Sequence, residues 1–447
     1  MIKIKGGPHE AEYRALVKAF IPDGDIEIVV EPDDGINTKN EEKLKLYKSL
    51  CNELGFSLPW GDLTGVRPVR IPLGKLYEGL NDVEIDSFLD DVYAVRKDKR
   101  ELSLKIAHTE KKTIDSLGQF SEGIIKNHYC LYVGIPFCPS TCAYCSFTSF
   151  PLGRYKDIID KYLCCLYDEL RLLSEVYADY ILDAVYIGGG TPSTLDAKSL
   201  SNLVMFIRKT FNVPDSLEFC VECGRPDSID KEKLVALKDG LVNRICINPQ
   251  TLSDATLRKM GRAHNTKQFF EAFDLARSVG FDNINTDIIL GLPGENIDDI
   301  KNTVNGLCSL SPESITVHTL SIKRAAKLNT DDKVWEAFYA DMNECMDFCI
   351  NTLDKNGLYP YYLYRQKNMA GNLENTGFAK SGYECAYNIL MIEELCDIAA
   401  VGTGTVSKVT LGDGHIERID AVKDVNMYFE RFDSMMDKKR RFYKKWR

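Results

Sequence analysis

The chain has 447 residues, 44% hydrophobic and 27% charged, the make-up of a globular protein long enough for two or three domains. A net charge of -10 argues against a nucleic-acid-binding role, and no run of ~18 apolar residues is present to span a bilayer. The start, MIKIKGGPHEAEYR, lacks the apolar stretch of a signal peptide, so the expected compartment is the cytoplasm, where the 15 cysteines stay reduced.

Residues 1–125 read as an α+β extension, with β-rich DIEIVVEP and helical patterns near 40–54 and 84–118. They carry no catalytic signature, and a structural or partner-docking domain is expected. From 126 to 325, apolar β-rich runs near 130–135, 183–187, 217–222, 242–247, 283–289 and 313–318 alternate with helical patterns. The clearest stripe includes Tyr155, Ile159, Tyr162, Leu166, Leu170 and Leu173 at helical spacing. Such alternation predicts parallel βα units with right-handed crossovers, whose ligands gather at the C-terminal strand ends. Residues 326–447 combine a helical stretch, a polar loop YRQKNMAGNLENTGFAKSGYECAYN and an apolar run IAAVGTGTVSKV. They are expected to form a mostly helical region that covers the substrate. The final KKRRFYKKWR reads as a solvated basic tail, with anionic-surface or partner binding as the alternative.

The first run leads into GIPFCPSTCAYCSF, which packs Cys138, Cys142 and Cys145 into eight residues. Prolines and small polar residues make this a loop, able to wrap a ligand. Structural zinc takes four protein ligands, and no fourth Cys or His is nearby. Three thiolates at CxxxCxxC spacing suit a cubane iron–sulfur cluster with one iron open to a small molecule. Zinc and chance clustering are the alternatives. Cys220 and Cys223 also spell CxxC, but in a strand that spacing sends the thiols to opposite faces. Cys164, Cys165, Cys345 and Cys349 sit in helical patterns and are expected in the core.

The second run ends in VYIGGGTPSTL, a glycine-rich turn that lets backbone approach a ligand closely. The third, fourth and fifth runs end in FCVECGRP, NRICINPQ and NINTDIILGLP, and so offer Glu222, Gln250 and Asp287 at the strand ends. A carboxylate inside an apolar strand is costly unless paired, which singles out Asp287. His318, at the end of the sixth run, is the one histidine expected near such a site.

These motifs in this order resemble the radical S-adenosylmethionine (SAM) superfamily. Within it, YVGIPFC, YIGGGTP, FCVECGRP, NPQTL, GRAHN and DIILGLP resemble the oxygen-independent coproporphyrinogen III oxidase family. LTGVRPVR, HTLSIKRA, QKNMAGNLEN and GFAKSGYECAYN are similar to its HemZ-type branch, so the likeness spans nearly the whole chain. The resemblance implies a partial (β/α)6 barrel, with Cys138, Cys142 and Cys145 holding a [4Fe–4S] cluster. It implies that Tyr132, Gly189, Gly190, Thr191, Glu222, Gln250, Arg262 and Asp287 bind SAM, with Tyr132 and Glu222 nearest the chemistry. Arg262 would meet the SAM carboxylate, and Gln250 and Asp287 the ribose hydroxyls.

The implied reaction converts propionates of coproporphyrinogen III to vinyl groups, giving protoporphyrinogen IX, with electrons from a donor such as a flavodoxin or ferredoxin. A substrate with four propionates needs cations, for which Arg324 and Arg365, then Lys323 and Lys367, are the candidates. Two departures stand out: Gly134 replaces the family's His, and Phe147 replaces a fourth Cys, as in haem-chaperone relatives. The alternatives are therefore a haem-binding chaperone and a radical SAM enzyme acting on haem or another tetrapyrrole. Cys138→Ala, Cys142→Ala and Cys145→Ala should each abolish cluster assembly, whereas the other twelve cysteines should be individually dispensable; iron and sulfide content after anaerobic reconstitution checks this.

Overall fold

The computed structural model describes residues 2–6, 10–21, 26–30, 39–321, 342–366, 369–412 and 414–447. Six strands form its centre: β1 (His128–Ile135), β2 (Ile181–Gly189), β3 (Glu218–Glu222), β4 (Arg244–Cys246), β5 (Ile284–Leu290) and β6 (Ser314–Thr319). They lie side by side in chain order and all parallel. Helices Ile159–Val176, Ala197–Thr210, Lys231–Asp239, Thr266–Val279 and Ile297–Ser309 make the crossovers. This is the expected partial (β/α)6 barrel.

The chain beyond residue 342 joins the same sheet. Strands β7 (Tyr359–Tyr364) and β8 (Asn375–Ala379) continue it past β6 in antiparallel fashion. On the other side β9 (Asp397–Val401) runs parallel to β1, followed by the antiparallel β10 (Val406–Gly412) and β11 (His415–Asp420). The full order is β7-β8-β6-β5-β4-β3-β2-β1-β9-β10-β11. Part of the expected polar cover loop is thus strand β8, every residue of which is buried. The expected basic tail is a packed helix, Phe432–Trp446, rather than a solvated one. Its Met435, Met436 and Tyr443 face the core, and Lys439 is buried in an ion pair with Glu169, while Lys438, Arg440, Arg441, Lys444 and Lys445 face outward. Cys345 and Cys349 are buried as expected, but Cys164 is exposed on its helix.

Strand alternation divides the central sheet into two faces. Leu131, Val133 and Ile135 of β1, Val185 and Ile187 of β2, and Phe219 and Val221 of β3 pack under the crossover helices. Residues between them, such as Cys130, Tyr132, Ala184 and Tyr186, meet a second core on the inner side. That core is closed by the N-terminal helices Arg70–Tyr77, Asp82–Tyr93 and Lys97–Leu117, through Val69, Leu73, Ile85, Leu89, Ile106 and Ile114. Before these helices come a parallel strand pair, Ile2–Gly6 with Ile26–Val30, and helices Glu10–Phe20 and Lys39–Leu54, giving the α+β extension.

One buried ion pair ties the extension to the barrel. Lys99 Nζ lies 2.5 Å from Glu374 Oε1, with side chains 1% and 0% exposed, and Trp60 Nε1 donates to Glu374 Oε2 at 2.7 Å. Desolvating two charges is repaid only while both partners stay in place. Lys99→Met, which strands Glu374 inside, should destabilise the protein by roughly 3–5 kcal/mol in urea unfolding, while Lys99→Met combined with Glu374→Leu should recover much of the loss.

Candidate active site

The C-terminal ends of the barrel strands open onto one cavity, lined by all three cysteines of the CxxxCxxC loop. β1 continues into Phe137–Cys138, which pairs with Phe150–Pro151, so the loop begins and ends at fixed points. Between these, Ala143 N donates to Met260 O at 3.0 Å and the Ser140 hydroxyl donates to Gly261 O at 3.0 Å. Burial pushes the Cys138 thiol up to about 11 and raises Cys145 also, so ligation of a metal releases their protons. Among the described residues no three His, Cys, Asp or Glu side chains converge as on a single ion. The thiols stand instead at separate points of one cavity, and a cubane presents each with an iron of its own.

The glycine turn after β2 is laid directly against this loop. Gly190 N donates to Ile135 O and Thr191 N to Phe137 O, each at 2.8 Å, and the Thr191 hydroxyl sits 3.4 Å from Cys138 Sγ. A Cβ on Gly190 would stand 2.7 Å from Phe137 O and 3.0 Å from Cys138 Sγ. Gly189 has φ +110°, which L side chains rarely adopt. The turn therefore requires glycine at both positions.

The remaining expected residues converge on the same space, with one exception. Glu222 accepts from the Tyr186 hydroxyl at 2.7 Å, and burial raises its carboxyl to about 7. Asp287 accepts from Asn248 Nδ2 and Asn285 Nδ2 at 2.7 Å each and has His318 Nε2 at 3.6 Å. Burial pushes its carboxyl up, but the proximity of His318 and hydrogen bonds from His318, Asn285 and Thr316 outweigh it and leave it below the usual range. Gln250 has φ +69°, its backbone bonded to Asp287 O and Ile289 N, and its Oε1 is buried without a partner among the described residues. Arg262 donates to Tyr144 Oη at 3.0 Å, Gly224 O at 2.8 Å and Asn248 O at 2.6 Å, leaving Nε unpartnered. Tyr132 is the exception, because it lies behind the lining with its ring stacked 6.1 Å from Tyr186 and 6.2 Å from Tyr387.

Of the four expected substrate cations, Arg365 alone lies among the described residues. Lys323, Arg324 and Lys367 lie outside the described residues. Arg365 is turned away from the cavity: its guanidinium donates to Leu63 O and Asn372 O and lies over the Trp60 ring. Its place is a joint with the N-terminal extension. Gly134, at the position of the family's His, has no room for a side chain, since a Cβ there would meet Thr405 Cγ2 at 2.6 Å. Phe147, by contrast, stands 72% exposed at the cavity.

Residues 132–307 match the model of the radical SAM superfamily. The chain is 34% identical over 427 residues to the oxygen-independent coproporphyrinogen-III oxidase-like protein HemZ of Bacillus subtilis, covering 94% of this chain and 83% of that protein. It belongs to the radical SAM superfamily, in the HemZ-type branch of the oxygen-independent coproporphyrinogen III oxidase family. The heme chaperone HemW of B. subtilis is 30% identical over 268 residues, 58% of this chain and 65% of that protein. Among solved structures, the coproporphyrinogen III oxidase HemN of Escherichia coli shares the fold at a TM-score of 0.56 and 20% identity, covering 68% of this chain and 69% of that one.

The cofactors of a radical SAM protein are a [4Fe–4S] cluster and SAM, and the cavity fits both. Three thiols, buried at Cys138 and Cys142 and half-buried at Cys145, supply the donor set for a cluster with one open iron. Gln250 Oε1 and Arg262 Nε, without partners among the described residues, and the side-chain-free glycine turn leave polar atoms and room for a second small molecule.

Several lining or supporting residues were missed in the motifs: Arg225, Asn248, Tyr186 and Asn285. Arg225 and Asn248 stand within FCVECGRP and NRICINPQ, where a strand-end search extended by a few positions would have reached them. Tyr186 and Asn285 are inner-face strand residues that alternation alone could have placed.

A carboxylate titrating near 7 makes cation binding pH-dependent. Glu222 is expected to receive the SAM ammonium in its ionised form, so affinity should fall below pH 7, by up to about tenfold per unit. Isothermal titration between pH 6 and 8.5 should show that slope in the wild type and its loss in Glu222→Gln.

Proposed function

We propose that this protein oxidatively decarboxylates propionates of coproporphyrinogen III to vinyl groups by radical SAM chemistry, yielding protoporphyrinogen IX. The observation that carries this reading is that the cavity is completed by the C-terminal strands. Tyr364 and Gln366 at the end of β7 and Asn375 of β8 line it together with the barrel residues. The likeness to the oxidase-like HemZ protein extends over 94% of the chain, whereas that to HemW proteins covers 58% for B. subtilis and 67% for Haemophilus influenzae.

Cys138, Cys142 and Cys145 hold the cluster in this reading, and Glu222, Gln250, Arg262 and Asp287 hold SAM; when bound, the pair supplies one-electron cleavage and hydrogen-atom abstraction. The protein's own contribution is positioning. Asn248 and Asn285 fix the Asp287 carboxylate, Tyr186 fixes Glu222, and Tyr132 backs Tyr186 from beneath. His318 and Gln366 offer donors at the mouth to a propionate. The electron donor is a small redox protein of the flavodoxin or ferredoxin kind.

A second reading, a haem-binding chaperone, is favoured by the exposed Phe147 ring beside the cluster loop and by the likeness to HemW. One experiment separates them. Reconstituted protein is incubated anaerobically with SAM, a reductant and coproporphyrinogen III, and the tetrapyrroles and 5′-deoxyadenosine are quantified. The expected result is vinyl product in step with 5′-deoxyadenosine. Haem binding with no decarboxylated product would transfer the assignment to the chaperone.

A further inference from the structure

We propose that Arg225 sets the reduction potential of the cluster, acting through the sulfur of Cys142. This rests on the cofactor assignment above and concerns a residue that no motif singled out. Arg225 follows β3 by three residues and is 3% exposed. Its Nη1 donates to Ser140 O at 3.0 Å and reaches Cys142 Sγ at 3.7 Å, while Nη2 donates to Ser140 Oγ at 3.1 Å. Nε and Nη2 also form a fork on the two carboxylate oxygens of Asp227, each at 3.0 Å. From the other side Arg262 Nη1 stands 3.9 Å from the same sulfur. Cys138 has a neutral hydroxyl, that of Thr191, in the corresponding place.

Two guanidiniums thus converge on one ligand of the three. Hydrogen bonds to cluster sulfurs and nearby net charge are the protein's levers on potential. A cation beside the ligating thiolate stabilises the extra electron of the reduced cluster and so raises the potential. Asp227 opposes it from the far side of the fork. Removing Arg225 takes away a cation and also uncovers the Asp227 charge, whose other neighbour is His264 Nδ1 at 3.8 Å, so both effects lower the potential. Removing the charge of Asp227 has the opposite sign. Arg225 therefore acts as a positioning residue whose charge is partly balanced by its own anchor.

The test compares wild type, Arg225→Gln, Arg225→Lys and Asp227→Asn after anaerobic reconstitution with iron and sulfide. Iron and sulfide are measured, and the reduced cluster is followed by EPR spectroscopy during titration with dithionite. Arg225→Gln should keep wild-type iron while its reduced-to-oxidised ratio at a fixed potential falls about tenfold, ~59 mV for a one-electron couple. Asp227→Asn should move the ratio upward, and Arg225→Lys should stay nearer wild type than Arg225→Gln. Opposite shifts on the two sides of one fork would not arise from general loosening of the loop. Full iron with an unchanged potential in Arg225→Gln, or shifts of the same sign in Arg225→Gln and Asp227→Asn, would overturn the proposal. Where Arg225→Gln holds no iron, Asp227→Asn decides: a raised potential supports the proposal and an unchanged or lowered one defeats it. A wild-type protein that takes up no iron would sink the cofactor assignment and this proposal together.

Discussion

The close approach of the β2 glycine turn to the β1 cysteine loop is the constraint on which the rest of the site depends. The strands are parallel with Gly134 opposite Gly188 and Ile135 opposite Gly189, so the loop and the turn leave the sheet side by side. Two backbone hydrogen bonds of 2.8 Å then staple them together at Gly190 and Thr191. A single methyl group at Gly190 would push into Phe137 O and Cys138 Sγ. The cysteine loop and the glycine turn are therefore one stapled unit, and the other strand ends need only face it.

What those strand ends bury would be costly without the neighbouring strands. Glu222 and Asp287 are satisfied by side chains from the same or adjacent strands, Tyr186, Asn285 and Asn248. The two acids bias stability in opposite directions. Glu222, raised in the folded chain from 4.5 to about 7, favours the fold below its unfolded value and loses that contribution as pH climbs through 7. Asp287, lowered from 3.8, contributes above its unfolded value and loses its contribution as pH drops through the folded one. A cation placed against Glu222 would oppose its upward shift.

Much of the barrel was legible because its chemistry sits in short local motifs. Three cysteines within eight residues and three glycines after an apolar run need no long-range information. Position at the strand ends singled out Glu222 and Asp287, and both line the cavity on the inner face that alternation gives them. The same alternation puts Tyr132 on that face too, but one layer too deep, and depth along a strand is not written in its period. Arg365 in a polar loop read as a substrate-binding cation, yet its partners, Leu63 and Trp60, come from about three hundred residues earlier in the chain. The strands after residue 342 were obscured likewise: IAAVGTGTVSKV was recognisable as apolar, but nothing local says that its first part pairs with β1.

That last pairing governs the order in which the molecule can be completed. Val401 lies beside Val133, a separation of 268 residues, so one side of β1 has no neighbour until most of the chain has been made. During that interval β1 presents an unpaired, apolar strand edge, the kind that templates aggregation, and a contact of such long range is slow to close. Gly134 illustrates the stake, because its carbonyl and Cα are covered by Tyr162 and by Thr405, just beyond β9. The loop that follows β1 is thus fully walled only once β9 has docked. Cluster insertion into a nascent or truncated chain would meet an unfinished seat, which ties maturation of the metal site to the last steps of folding rather than to synthesis of the motif that binds it.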